Sequence, residues 1–188
     1  MMGTGRARRD PWADKVNFDR LVELTGFGGV RAAEALAQLV GQPIHSRPPS
    51  ILEEGVAATS SDVYSVGVFF EFQGCLEAVA GIVLPGHASE SLVRRMVGAE
   101  SGALPAPLFE SALMEVGNIL ASHLASAIAN RIGEPLLPSV PSLTVENAVD
   151  AFEAFAVSRL GLEVRRIEAE LADASGELSG CLLLAPAP

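Results

Sequence analysis

Several residue types are scarce in this 188-residue chain, and their scarcity excludes whole classes of site. The two cysteines, Cys75 and Cys181, stand far apart, so neither a C-x-x-C redox pair nor a cysteine metal knuckle forms locally. Both are predicted to be small buried residues. The three histidines, His45, His87 and His123, lack the mutual spacing of a metal site. The chain is therefore expected to carry no metal or cofactor of its own.

Basic residues are also in deficit. Lys15 is the only lysine, and 13 basic residues against 23 acidic ones give a formal charge of −10. This balance argues against nucleic-acid binding, which needs a basic patch. No run approaches the roughly 18 uncharged apolar residues of a membrane helix, and no apolar run follows the basic residues 1–10 as in a secretory signal. The sequence predicts a cytoplasmic protein without membrane insertion.

Apolar residues, by contrast, make up 49% of the chain and follow clear periodicities. Residues 1–16 contain Gly, Arg and Pro without periodicity, which predicts a disordered leader. The patterns that follow are helix, hairpin, helix, hairpin. They cover residues 18–40, 63–84, 108–132 and 164–184, with a further helical stretch over 145–160. Gly26, Gly28 and Gly29 interrupt the first helical pattern, which predicts either a kink or a close packing partner there.

Three polar residues recur at helical spacing in the second long helix. Ser111, Glu115 and Asn118 follow one another at steps of four and three, so they share one helix face. Pro141 follows after an interval of twenty-two residues. Taken alone, such a stripe is typical of the solvated face of an amphipathic helix.

The same framework occurs ninety-two residues earlier as Asp19, Glu23, Gly26 and Pro49, with glycine in place of the asparagine. The helix-ending Gly-x-Pro of residues 41–43 repeats at the same offset. These coincidences predict one domain over residues 17–188 made of two repeats, about 17–98 and 105–186. The expected fold is α+β, with two long pseudo-equivalent helices packed on a mostly antiparallel sheet.

The pattern S-x3-E-x2-N-x22-P formed by Ser111, Glu115, Asn118 and Pro141 resembles the signature of the CheC family, phosphatases that remove the acyl phosphate from the chemotaxis response regulator CheY. The resemblance spans roughly residues 17–185. It implies that Glu115 contacts a lysine of the phosphorylated regulator and that Asn118 orients the attacking water. Ser111 and Pro141 would support the site. The Mg²⁺ and the phospho-aspartate would belong to CheY.

The chemistry of these side chains is compatible with those roles. An asparagine amide both donates and accepts hydrogen bonds, so it can hold a water molecule without being consumed. An exposed glutamate is a poor base at neutral pH but a good partner for a lysine. Because Gly26 has no amide, the first copy (Asp19, Glu23, Gly26, Pro49) is predicted to be a degenerate site.

A second hypothesis belongs to a different functional class. It is a non-catalytic adaptor of the same fold that binds CheY, the receptor deamidase CheD or the flagellar switch, and CheC-like proteins pair with CheD. Under either hypothesis, Asp19 and Glu23 are most simply a degenerate, solvated helix face.

Overall fold

A computed structural model describes residues 18–52, 63–99, 101–161 and 165–187. Its described part contains four helices and eight strands in one sheet, which confirms the α+β prediction. The helices are α1 Phe18–Val40, α2 Gly86–Val97, α3 Ala106–Ile132 and α4 Ala148–Leu160. The strands are β1 His45–Ser46, β2 Ser50–Leu52, β3 Tyr64–Gly74, β4 Ala78–Pro85, β5 Leu136–Pro138, β6 Ser142–Thr144, β7 Arg166–Ala172 and β8 Ser179–Pro186. The predicted leader, residues 1–16, lies outside the described residues.

The sheet has the order β1-β7-β8-β4-β3-β5, and every recorded pairing is antiparallel. β2 also pairs with β7, and β6 also pairs with β3. The short strands after α1 therefore join the hairpin β7–β8, whereas those after α3 join the hairpin β3–β4. Exchanging the two halves of the chain leaves the strand order unchanged, with β4 and β8 paired at the centre.

The long helices α1 and α3 pack against each other and against one face of the sheet. Both end at a glycine in the left-handed region, Gly41 at φ 70° and Gly133 at φ 83°, where a side chain would be strained. α1 runs unbroken through its glycines. Gly28 is a point of close approach, because a Cβ there would lie 2.1 Å from Leu124 Cδ1. Of the two predicted alternatives, the close packing partner is therefore the one observed.

The helix α4 covers the opposite face of the sheet, over β3 and β4. Its Phe152 lies edge-on to Phe69 with ring centroids 5.6 Å apart. A Cβ on Gly81 of β4 would come within 2.6 Å of the Phe152 ring, so the ring rests directly on the sheet. We call this side of the sheet the outer face, and the side that carries α1 and α3 the inner face.

Within the described residues, α3 alone is long and apolar enough to cross a membrane. Half of its most apolar stretch is buried inside the protein. The buried residues include Leu113, Leu120 and Leu124, which belong to the core shared with α1 and the sheet. A helix at the centre of a core has this composition without contacting lipid.

Candidate functional site

The helix α3 carries the predicted polar stripe on its solvent side. Ser111, Glu115 and Asn118 are all exposed, while Val116 and Gly117 between them are buried against the sheet. Residues three apart on a helix have Cβ atoms about 5–6 Å apart. Glu115 and Asn118 therefore present a carboxylate and an amide side by side to solvent.

The backbone under Asn118 is held close to the sheet by the residue before it. A Cβ on Gly117 would lie 2.5 Å from Val68 Cγ1 and 3.1 Å from Phe70 Cζ, far inside normal contact distance. Val68 and Phe70 are buried residues of β3. Glycine at this position lets α3 approach β3 closely, which fixes the height of the Asn118 backbone above the sheet.

Pro141 lies in the loop between β5 and β6, both of which contact α3. The loop is tied to β3 by two hydrogen bonds: Ser139 N donates to Glu71 O at 2.8 Å, and Glu71 N donates to Ser139 Oγ at 3.0 Å. Beside the half-buried Pro141, the side chain of Val140 is 87% exposed and that of Leu137 is 67% exposed. The structure thus adds two projecting apolar residues that sequence reasoning missed. The sequence signal for them is an apolar residue directly before a proline, Leu137 before Pro138 and Val140 before Pro141.

The first copy of the framework has the corresponding arrangement on α1. Asp19 and Glu23 are exposed, and Gly26 is half-buried beside the ring of Pro49. A Cβ on Gly26 would lie 3.5 Å from two ring carbons of Pro49, which is ordinary van der Waals contact. A side chain therefore fits at position 26, although glycine supplies none.

The carboxylates of the two copies differ in their surroundings. Arg131 of α3 places its Nη2 atom 3.8 Å from Glu23 Oε1 and its guanidinium carbon 3.9 Å from the centre of the Phe27 ring. No ion pair among the described residues involves Glu115. The Glu115 carboxylate is therefore open to an external cation, whereas that of Glu23 already has an arginine nearby.

The stripe does not form a nucleophile of its own. His123 is exposed and lies one residue beyond Ser122, the next position of the stripe, and no described contact joins it to Ser111. Within the described residues, no three His, Cys, Asp or Glu side chains are placed to hold a metal ion. The chemistry available at this face is hydrogen bonding by an amide and charge pairing by a carboxylate.

Comparison with known proteins shows that the segment carrying the polar stripe of α3 is similar to a known family. The model of the CheC-like family matches residues 109–145, a segment that contains Ser111, Glu115, Asn118 and Pro141. The chain is also 28% identical over 138 residues to the protein named CheY-P phosphatase CheC of Bacillus subtilis strain 168. That match covers 69% of this chain and 66% of the relative, just under two thirds of its length.

Solved structures share the fold. FliY of Thermotoga maritima superposes with a TM-score of 0.65 at 21% identity, covering 89% of this chain and 87% of that one. The structure of the CheX–CheY–BeF3–Mg²⁺ complex from Borrelia burgdorferi contains a chain that matches with a TM-score of 0.58 at 13% identity, covering 88% and 96%. At these identities the likeness concerns the fold alone.

Proposed function

We propose that this chain, which resembles the CheC-like family in sequence and shares its fold, is a phosphatase that hydrolyses the aspartyl phosphate of a CheY-like response regulator. The observation that carries the proposal is the exposed pair Glu115 and Asn118, one helical turn apart within the segment that the family model matches. The CheY-P phosphatase named above and the CheY-containing complex support the choice of substrate.

Asn118 would act on the attacking water. Its amide oxygen accepts a hydrogen bond from the water while the amide N–H donates to an oxygen of the water or phosphoryl group. The water oxygen then bonds to phosphorus as the bond between phosphorus and the aspartyl oxygen breaks, which releases inorganic phosphate and a free aspartate. Phosphoryl transfer depends mainly on positioning and charge stabilisation, so a fixed amide is a sufficient contribution from this chain.

Glu115 would hold the regulator in register. A carboxylate paired with the regulator's lysine makes a charge-assisted hydrogen bond, which is stronger than a neutral one. The exposed position of Glu115 leaves it accessible to such a lysine. The Mg²⁺ that neutralises the phosphoryl oxygens would be bound by the regulator, as part of the substrate.

The two copies would not be equivalent. Gly26 offers no amide, and Glu23 lies within 3.8 Å of Arg131. We therefore assign the activity to the α3 face alone, with Ser111 and Pro141 shaping it, and treat Asp19, Glu23, Gly26 and Pro49 as a degenerate site.

The test is the decay of a phosphorylated CheY-like regulator with and without this protein. Glu115→Gln is expected to lower kcat/KM roughly 10- to 100-fold, the size of one lost charge-assisted bond. The control is Glu110→Gln, an exposed glutamate on the same helix. If the wild-type protein leaves the decay unchanged, the phosphatase proposal is wrong.

The second candidate is an adaptor that binds the regulator, CheD or the flagellar switch without catalysis. The exposed apolar residues Leu137 and Val140 support it, because they offer a binding surface that does not depend on Glu115 or Asn118. Capture of a partner that survives loss of both Glu115 and Asn118, together with an unchanged phosphate lifetime, would select it.

A further inference from the structure

The polar stripe of α3 continues past Asn118 to a serine that has no part in the function proposed above. Ser122 is exposed and lies four residues after Asn118, so both side chains are on the same side of the helix. Residues at this spacing have Cβ atoms about 5–6 Å apart. The Ser122 hydroxyl is therefore a close neighbour of the Asn118 amide, one turn further along α3.

No group of the described protein occupies this hydroxyl. Serine and threonine side chains in helices commonly donate a hydrogen bond to the main-chain carbonyl three or four residues earlier. Thr25 of α1 donates from Oγ1 to Leu21 O at 2.7 Å, and Ser158 of α4 donates from Oγ to Phe155 O at 2.7 Å. Among the described residues, no hydrogen bond involves the Ser122 hydroxyl. It keeps one donor and two acceptor sites for an external group.

The corresponding position in the first copy of the framework carries no polar group. At the offset of ninety-two residues, Ser122 corresponds to Val30 of α1, and Asn118 corresponds to Gly26. Val30 is 48% exposed, so an apolar side chain lies at the surface where α3 has a hydroxyl. The glutamate of the framework, by contrast, is kept in both copies. The copy without the amide thus also lacks the hydroxyl, which is the pattern expected of two groups that serve one step.

We propose that Ser122 holds the attacking water together with Asn118, an inference that rests on the phosphatase activity proposed above. The water donates one hydrogen to the Asn118 amide oxygen and the other to Ser122 Oγ, which leaves a lone pair of the water oxygen directed at phosphorus. A water hydrogen-bonded at about 2.8 Å to each of two oxygen atoms spans up to about 5.6 Å between them. The spacing of the two side chains on α3 is compatible with that span.

The hydroxyl acts by orientation and removes no proton. The water oxygen forms a bond to phosphorus, and the bond between phosphorus and the aspartyl oxygen breaks with its electron pair left on the aspartate. Both hydrogens of the water stay with the product, which leaves as dihydrogen phosphate. One acceptor lets a water rotate about a single hydrogen bond, whereas two acceptors fix the direction of its lone pair.

Removal of the hydroxyl should therefore slow turnover without weakening the complex. Ser122→Ala is expected to lower kcat for the phosphorylated regulator about 3- to 10-fold, the effect of one neutral hydrogen bond, and to leave KM within about 2-fold. Ser122→Thr keeps a hydroxyl and should stay within about 2-fold of the wild-type kcat. Since Ser122 is exposed, neither substitution should disturb the fold.

The matched control is Ser126→Ala, which removes an exposed serine hydroxyl one turn beyond Ser122. Ser126 lies about 12 Å from Asn118 along the helix axis, too far to share its water, so kcat should equal that of the wild type. The double variant Asn118→Ala, Ser122→Ala provides a second readout. If both residues hold one water, the serine substitution should cost less than about 2-fold in the Asn118→Ala background, because that water has already lost its position.

Three outcomes would overturn the role of Ser122 while leaving the phosphatase activity in place. One is a wild-type kcat in Ser122→Ala. Another is a raised KM with unchanged kcat, which would make Ser122 a contact of the docked regulator. The third is a fully multiplicative loss in the double variant, because the two groups would then act on different atoms. A wild-type protein that leaves the decay of the phosphorylated regulator unchanged would overturn both proposals.

Discussion

Replacing Gly117 by alanine tests whether α3 is seated on β3 as closely as the structure shows. The new Cβ would lie 2.5 Å from Val68 Cγ1 and 3.0 Å from Val68 Cβ. Carbon atoms in contact prefer about 3.5–4.0 Å, so relieving the contact with Val68 Cγ1 requires a shift of roughly 1–1.5 Å between α3 and the Val68 side chain. Overpacking of this kind costs about 1–3 kcal/mol, and helix propensity returns about 0.5–1 kcal/mol.

The matched control is Gly26→Ala in α1. Its Cβ meets only Pro49 carbons, at 3.5 Å, so the gain in propensity of about 0.5–1 kcal/mol should remain. For a chain of this size 1 kcal/mol shifts the midpoint by about 2–4 °C. Circular dichroism should therefore show a lower Tm for Gly117→Ala and a slightly higher Tm for Gly26→Ala. Equal stabilisation by both substitutions would refute the close approach of α3 to the sheet.

Three further predictions concern function and pH. Gly26→Asn in the Asn118→Ala background should restore part of the phosphatase activity, because the space at position 26 accepts a side chain. If no activity returns, the copy of the framework on α1 lacks more than the amide. Val140→Asp should raise KM for the phosphorylated regulator with little change in kcat, whereas Val157→Asp on α4 should not. A hydrogen bond from Ser175 holds the pKa of Asp173 below its usual range. The ionised Asp173 carboxylate therefore stabilises the fold above the ordinary carboxyl pKa, and this stabilisation is lost as pH falls. Between neutral and acid pH, the urea midpoint of Asp173→Asn should consequently fall less than that of the wild-type protein.

Helix boundaries followed from local signals in the sequence. The predicted range 108–132 agrees with the observed α3 Ala106–Ile132 to within two residues. The prolines at its start and Gly133 at its end are local signals, which set the helix ends within one or two turns of themselves. The exposure of Glu115 and Asn118 also follows from helical periodicity. The resemblance to the CheC family is confirmed by the family match and the fold neighbours.

The strand pairing did not follow from the sequence. β1, β2, β5 and β6 have two or three residues each, too few for a periodic signal. Their partners lie in the opposite half of the chain, and the main-chain bonds beside them, Arg47 N to Glu170 O and Ser139 N to Glu71 O, join residues far apart in sequence. Tertiary contact decides such pairings.

A cavity on the outer face of the sheet, whose lining includes Tyr64, Glu168 and Glu170, could not be predicted from the sequence for the same reason. Alternation along residues 63–72 predicts Tyr64 on the same side of its strand as Val66 and Phe70. The structure places Tyr64 on the outer face instead, because the register of β3 shifts between Tyr64 and Val66. The surroundings of its hydroxyl are set by Glu168 and Glu170 on β7, much later in the chain. Only the folded sheet brings these groups together.

The most direct test of the proposed activity is the rate at which phosphorylated regulator is consumed in a single turnover by wild-type protein, Asn118→Ala and Asn130→Ala. Asn130 is an exposed asparagine on the same helix, outside the stripe. Loss of the group that positions the water should slow Asn118→Ala by about 100-fold or more, while Asn130→Ala stays at the wild-type rate. Equal rates for all three proteins would contradict the role of Asn118.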